Sequence, residues 1–344
     1  DVYKRQDMGI PQFQTVGYWI PFDLAFSVGH VLGLPPWVTE RVFIAAVMIT
    51  GLWGFTRLAD ALQIGRPLFR VLGGVAYVFA PVMLTRVGWQ TPFAMGAALL
   101  PWILLPLVHG AQSGSPRRAA ARSAVAVLLI GGANAAVTLA VLPAPLIYLL
   151  TRGRGPRRAR LLAWWCLTVP MATLWWLVGL YFYARYAPDV LAYTEQVEAT
   201  VRFTPLFEVL RGTADWVMRL GAIDPAGTFF VTRRLAVLGT AALAAVGLAG
   251  LSRRNLPERN FLLLTLLAGV AAVGGGFGGA IGNPLADGYV SMLEGPLTAF
   301  RNVFKFQPLI ALPLTLGVVN GLSGCTDSGA VQRTLGLASP VWRS

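Results

Sequence analysis

The sequence predicts an all-α polytopic membrane protein, a bundle of about nine transmembrane or half-length helices with amphipathic helices in its outer loops. Three observations carry the membrane reading. The 344 residues are 56% hydrophobic and only 12% charged, with a mean hydropathy of +0.62, which an ordinary soluble domain of this length does not show. Eleven Trp and 18 Phe suit the aromatic belts of a bilayer protein. The net charge of +13 is gathered largely into arginine clusters between apolar runs, the pattern of topogenic loops rather than of a nucleic-acid surface.

The elements follow in chain order. The opening DVYKRQ (1–6) reads as a sequencing or assembly scar and is set aside. Residues 7–40 read as an extracytoplasmic loop with an interfacial helix: Pro21, Pro35 and Pro36 break it, and Tyr18, Trp19 and Trp37 suit headgroup level. Residues 41–322 form the membrane domain, with apolar runs at 41–61, 68–85, 93–110, 119–131, 134–150, 161–183, 235–251, 261–280 and 308–322. Several are shorter than the ~20 residues of a straight span. The pair 119–131 and 134–150 reads as a short hairpin turning at Gly131, Gly132 and Asn134, tolerable only when packed inside a bundle. Two loops interrupt the domain, 184–234 and 281–307. In the first, Thr204 is expected as N-cap, Pro205 as first helical residue and Gly212 as the stop of a helix built on LFEVL. Residues 323–344 read as a truncated or irregular tail, so the chain is expected to be a fragment of something longer.

Charge orients this map. With the N-terminal segment outside, the inner loops hold 14 cations, all Arg, against two acids, Asp60 and Glu258. The outer segments hold 10 cations and 11 acids. Short arginine-rich loops mark the cytoplasmic side of a multi-pass plasma-membrane protein. The inner arginines read as topogenic, and as a surface for anionic lipid or an acidic protein.

No soluble-enzyme motif is present: no phosphate loop, no nucleophile elbow, no His-based metal motif. Two Cys and two His, His30 and His109, offer no metal spacing, so no metal site is assigned; a divalent cation stays open as a cofactor, with no evident ligand set. GGGFGG at 274–279 lacks the strand–turn–helix context of a nucleotide site and reads as packing at a helix end. The outer segments carry a polar constellation that includes Gln14, Tyr18, Arg86, Gln90, Arg211, Arg301, Asn302 and Lys305. Arginine forks and lysine point charges hold phosphate, aromatic rings lie against sugars or headgroups, and carboxylates serve as general bases. The combination suits transfer of a sugar from a lipid-linked phosphate to a hydroxyl acceptor. Blander readings stand beside it. Arg301 and Lys305, four apart, could share a helix face and snorkel to headgroups. Asp23, amid aromatics, is a helix cap or a weak catalytic candidate.

Several blocks together resemble the AftD family, the mycobacterial-type membrane α-(1→3)-arabinofuranosyltransferases of actinobacterial cell-wall arabinan assembly. They are VGYWIP with GHVLGLPPWV, LPWILLPLVHG followed by GSPRRAAARSA, GGANAAVTLAVLP, LLAWWCLTVPMATLWWLVGL, FEVLRGTADWV and GPLTAFRNVFKFQP, and they span most of 9–320. The resemblance implies a GT-C fold with its active site on the extracytoplasmic side. It also implies a polyprenyl-phosphate-arabinose donor, an arabinan acceptor and inverting transfer. It places this chain in the amino-terminal membrane region of a longer enzyme, expected to be inactive alone. The family's key acid lies in the first outer loop, expected upstream of this fragment, so the catalytic base is left unassigned. The residues expected at the donor phosphate are Arg301, Lys305 and Arg211. Those expected at sugar or acceptor are Gln14, Tyr18, Gln90 and Asn302. A lipid-linked sugar transporter or flippase, or a non-catalytic scaffold, is the alternative. The 119–150 hairpin favours transport, while the mapping of nearly all charges to membrane ends favours interfacial chemistry.

Overall fold

The computed structural model describes residues 20–88, 90–132, 134–186, 196–280 and 282–327. Every regular element among them is helical. In order these are α1 (Ile20–Val31), α2 (Pro36–Ala61), α3 (Pro67–Val78), α4 (Pro81–Val87), α5 (Thr91–Gln112), α6 (Pro116–Ile130), α7 (Ala135–Val141) and α8 (Pro143–Thr151). There follow α9 (Pro156–Tyr186), α10 (Val197–Val201), α11 (Leu206–Arg211), α12 (Pro225–Thr232), α13 (Arg234–Ser252), α14 (Arg259–Gly274), α15 (Ala286–Glu294) and α16 (Pro308–Asp327). Short 3-10 turns lie at Trp216–Arg219, Thr298–Phe300 and Val303–Phe306. Proline opens many of these helices, among them α2, α3, α4, α6, α8 and α12. Its fixed φ suits the first turn, and its missing N–H is no loss there.

The nine apolar runs of the sequence lie mainly on helix, with 261–280 outlasting α14, which ends at Gly274, and they differ in reach. Helices α2, α5, α13, the Pro156–Phe182 part of α9 and the Val303–Gly324 stretch are long and apolar enough to cross a membrane. That makes five such helices among the described residues, or six if α3 and α4, bent by 53° at their junction, count as one span. Pro81 accounts for the bend, because it can neither donate to the preceding turn nor follow a residue that stays helical. The remaining runs, on α6, α7–α8 and α14, are shorter than a full span.

The expected turn between 119–131 and 134–150 is present. Gly131 takes a positive φ of 78°, Asn134 caps α7 by accepting from Val137 N at 3.3 Å, and Thr138 Oγ1 donates to Gly131 O at 2.8 Å. Each arm packs against α5; α6 also lies along α9, and α8 reaches α14. In the 184–234 loop, Gly212 stops α11 with a φ of 77°, as expected. The start differs by one residue: Pro205 is the cap, not the first helical residue, and Thr204 donates backward to Val201 O at 2.8 Å instead of capping.

Two packed groups make the bundle. Helices α2, α5, α6 and α9 pack in series, α16 packs on α13 and α14, and α3 joins α16 to α2. Phe55, Leu104, Val127, Leu161, Ile310 and Leu316 are among the fully buried core residues. Buried polar side chains find backbone partners: Tyr77 donates to Ala97 O at 2.7 Å, and Ser123 donates to Ile103 O at 2.8 Å while accepting from Trp165 Nε1 at 3.1 Å.

The two ends of the bundle differ in chemistry. At one end, Arg66 N donates to Ser323 Oγ, Arg157 to Gly110 O and Gly114 O, and Arg152 pairs with Glu258. These contacts gather the arginine-rich loops beside the C-terminal turns of α16. At the other end, Thr200 donates to Arg301 O at 2.6 Å and Gln307 Nε2 to Val209 O at 2.7 Å. The loop segments 196–233 and 275–307 meet there.

Helices α13 and α16 approach through glycine. A Cβ on Gly247 would lie 2.6 Å from Leu314 O, and Gly250 and Gly317 face each other's helix more closely still. Such small-residue seams let backbones touch in a membrane, where packing rather than the hydrophobic effect drives association. Gly317→Val should therefore lower stability by about 1–3 kcal/mol in thermal unfolding in detergent. Gly239→Ala, whose Cβ meets nothing within 4 Å, should be neutral or gain up to about 1 kcal/mol.

Candidate functional site

The loop-rich end is organised by one buried ion pair. Arg86, in the last turn of α4, and Asp215, just before the Trp216–Arg219 turn, pair with side chains each 2% exposed. Arg86 Nη1 also donates to Gln90 Oε1. Its guanidinium lies 4.3 Å from the Phe304 ring centroid and 5.6 Å from that of Phe93, and these two rings stack at 5.5 Å. Asp215 Oδ1 accepts from Val217 N at 3.1 Å and so opens the 3-10 turn. A charge held this deep persists only if paired and hydrogen-bonded. The pair therefore ties three segments together: the α4–α5 junction, the 212–219 loop and the Val303–Phe306 turn.

Beside the pair lies a cavity of about 230 Å³, with Arg86, Gln90, Phe93, Trp216, Asn302 and Phe304 in its lining. Trp216 Nε1 donates to Asn302 Oδ1 at 3.4 Å. Two carboxamides offer both donors and acceptors, and indole and phenyl rings supply a flat apolar face. That combination suits a polyhydroxylated ring.

A second network adjoins it. Glu208 of α11 accepts from Arg211 Nη1 at 2.9 Å, from Thr213 Oγ1 at 2.5 Å and from Arg219 Nη2 at 3.3 Å. Arg211 further donates to Thr240 Oγ1 at 2.9 Å and to Phe230 O at 2.8 Å. Burial pulls the Arg219 pKa below its ordinary value, opposed by Glu208 through charge and hydrogen bond, while Arg211 adds to the lowering. Arg211 commits three of its five N–H groups to the protein and keeps two. It stands at the rim of a second cavity of about 460 Å³, mostly apolar, between α3–α4, α12, α13 and α16. Gln307 lines the same cavity, and its buried Oε1 has no hydrogen-bond partner among the described residues. Helix α4 and the 210–217 stretch contribute to both cavities.

The expected residues fall as follows. Gln90 and Asn302 come together in the smaller cavity. Lys305 Nζ lies 5.9 Å from the Phe93 ring centroid and donates to Ala299 O at 3.1 Å. Arg301 sits half-buried between two separate 3-10 turns, so Arg301 and Lys305 do not share the helix face that their spacing suggested. Arg211 borders the larger cavity instead. Asp23 is exposed in the first turn of α1, a helix that packs on α2. Gln14 and Tyr18 lie outside the described residues. GGGFGG packs: Cβ atoms on Gly275 and Gly276 would press on Tyr289 and Val201. Among the described residues no three His, Cys, Asp or Glu side chains cluster as metal ligands. Sequence reasoning missed Asp215 as the partner of Arg86. The only signal was a lone carboxylate in the otherwise uncharged stretch GTADWVM.

A helical bundle with several spans, an arginine-rich end and a cavity-bearing opposite end defines a polytopic membrane domain of the GT-C type. Residues 3–338 match the family described as "Alpha-(1->3)-arabinofuranosyltransferase, N-terminal GT-C domain", and the chain belongs to that family. It is 38% identical over 328 residues to the α-(1→3)-arabinofuranosyltransferase of Mycolicibacterium smegmatis, covering 95% of this chain and 23% of that protein. It is equally 38% identical over 340 residues to that of Mycobacterium tuberculosis, covering 97% and 24%. Among solved structures it resembles the arabinofuranosyltransferase AftD from Mycobacteria at a TM-score of 0.66 and 35% identity, over 89% of this chain and 20% of that one. The chain thus spans about a quarter of the curated relatives it matches.

Removing one member of the central pair leaves a buried, unpaired charge. Arg86→Met or Asp215→Leu should each cost about 3–5 kcal/mol of stability. The double replacement should cost less than the sum, because neither charge is then stranded. Thermal unfolding of the four proteins in detergent measures this; additive losses would mean that the two side chains are not coupled.

Proposed function

We propose that this domain forms part of a plasma-membrane arabinofuranosyltransferase that moves a pentose from a polyprenyl-phosphate donor to an arabinan acceptor on the extracytoplasmic face. The observation that carries the reading is the pairing of two unlike cavities on shared walls. One is long-walled and apolar, with Arg211 and Gln307 at its polar rim. The other is small and polar, with Gln90 and Asn302. A lipid-linked sugar has the same two-part chemistry. Its chain is held by apolar helix faces, its phosphate by the two N–H groups of Arg211 that no bond among the described residues takes up, with Arg301 and Lys305 shortly before Gln307 in the sequence, and its sugar by carboxamides and rings. The family membership supports the sugar and linkage. The excess of arginine at the opposite end supports the orientation.

The general base is not assigned to a described residue. Asp215 is committed to Arg86, Glu208 to three donors, and Asp23 lies on α1. The resemblance places that acid in the first outer loop, together with acceptor contacts from Gln14 and Tyr18. The bent pair α3–α4, like the 119–150 hairpin, favours the transporter alternative, since broken helices line transport sites. Uptake of labelled lipid-linked arabinose into proteoliposomes, with no glycosyl transfer, would sink the enzyme reading.

In the full-length enzyme, Gly239→Phe should fill the apolar cavity without striking neighbouring backbone, because Gly239 lines it and has open space at Cβ. The KM for a long-chain donor should rise at least tenfold, and that for the acceptor should not move. Arg301→Ala should impair donor use more than acceptor binding. Gln90→Ala and Asn302→Ala should each weaken transfer about five- to tenfold, the loss of one hydrogen bond or so. Unchanged donor kinetics in both Gly239→Phe and Arg301→Ala would refute the donor assignment.

A further inference from the structure

At the arginine-rich end lies a third cavity, about 720 Å³, open between α2, α5 and α6. Its two longer walls change character in the same direction. Along α6 it is lined by Arg118, Arg122, Val125 and Leu129, spaced four, three and four apart, which is one helix face. Along α5 the lining runs from Leu99 and Trp102 to His109. The two helices join at 113–115, so Arg118, Arg122 and His109 lie toward the arginine-rich loops and the apolar part of each wall toward mid-bundle. Trp102 is fixed in the wall by donating to Thr50 O at 2.9 Å.

Charge at this end is unbalanced in a specific way. The two acids of these loops are already engaged, Asp60 with Arg70 and Glu258 with Arg152. Arg157 is held by the Gly110 and Gly114 carbonyls, and Arg117 lies 5.4 Å from the Trp164 ring centroid. Arg118 and Arg122 are exposed, and neither guanidinium pairs with a carboxylate among the described residues.

The geometry points to a binding site for one anionic phospholipid: acyl chain along Leu99, Trp102, Val125 and Leu129, phosphate between Arg118, Arg122 and His109. An apolar slot would accept any acyl chain. Two unbalanced guanidinium groups at its mouth select a headgroup of net negative charge over a zwitterion, whose own ammonium cancels the phosphate. The site lies at the end of the bundle opposite the proposed transfer site, so it concerns a resident lipid rather than the donor.

The test is native mass spectrometry of the full-length protein released from nanodiscs of equal phosphatidylglycerol and phosphatidylcholine. Wild-type protein should retain phosphatidylglycerol selectively. Arg118→Gln/Arg122→Gln should lower that retention about 30-fold, near five-fold per arginine. Val125→Trp, which blocks the slot without touching charge, should lower it as well. Arg154→Gln/Arg254→Gln removes the same charge from exposed arginines that do not line the cavity and should retain lipid like wild type. Equal losses in both arginine pairs would show diffuse attraction and overturn the site, as would full retention in Val125→Trp. Phosphatidylcholine retained as well as phosphatidylglycerol, or an acidic protein lost in place of lipid, would overturn it too.

Discussion

The loop-rich end depends on the Arg86–Asp215 pair. Arg86 lines the small cavity, and α4, the 212–219 loop and the Phe93–Phe304 stack take their mutual positions from its one contact with Asp215. Taking two charges out of water is costly, and their attraction offsets the cost only with good geometry and further hydrogen bonds. Gln90 and the Val217 amide supply those bonds, and the two phenyl faces add cation–π attraction. The same contacts hold Gln90 and Trp216 at the small cavity and keep the wall it shares with the apolar one in place. A pair that stabilises little on balance can still fix where its neighbours stand.

The membrane character and helix runs were legible because they rest on composition and period, which tertiary context seldom overturns in an apolar chain. The sign of segments such as 57–70 and 152–160 is likewise written in the sequence itself. Local signals were less exact. Gly212 stopped its helix as read, because a positive φ there needs glycine, but Thr204 bonded backward and left the cap to Pro205. Proximity was the hardest part. Gln90 and Asn302 are brought together across more than two hundred residues, and nothing periodic announces that meeting. The Arg301 and Lys305 reading shows why spacing alone misleads: i,i+4 neighbours face each other only on a continuous helix, and here the chain turns between two 3-10 segments.

The two ends divide the work. One gathers exposed guanidinium groups around a slot of graded polarity; the other buries Arg86 and Arg211 in ion pairs and hydrogen bonds. Exposed arginine suits lipid headgroups and orientation, whereas buried, hydrogen-bonded arginine holds loops in fixed register. The glycine seam between α13 and α16 lies beside the apolar cavity and lets these helices approach closely, while Gly239 leaves open space on the cavity side of α13.

The most direct test of the account is photocrosslinking with a polyprenyl-phosphate donor analogue that carries its photoreactive group in the lipid chain. The full-length enzyme would be labelled in membranes and digested for peptide mapping. The account predicts adducts on α13 and α16, around Gly239, Leu243 and Leu314, competed by unlabelled donor. Competed adducts confined to α5 and α6 around Trp102 and Val125 would place the donor in the other slot, and would contradict the assignment of transfer to the loop-rich end.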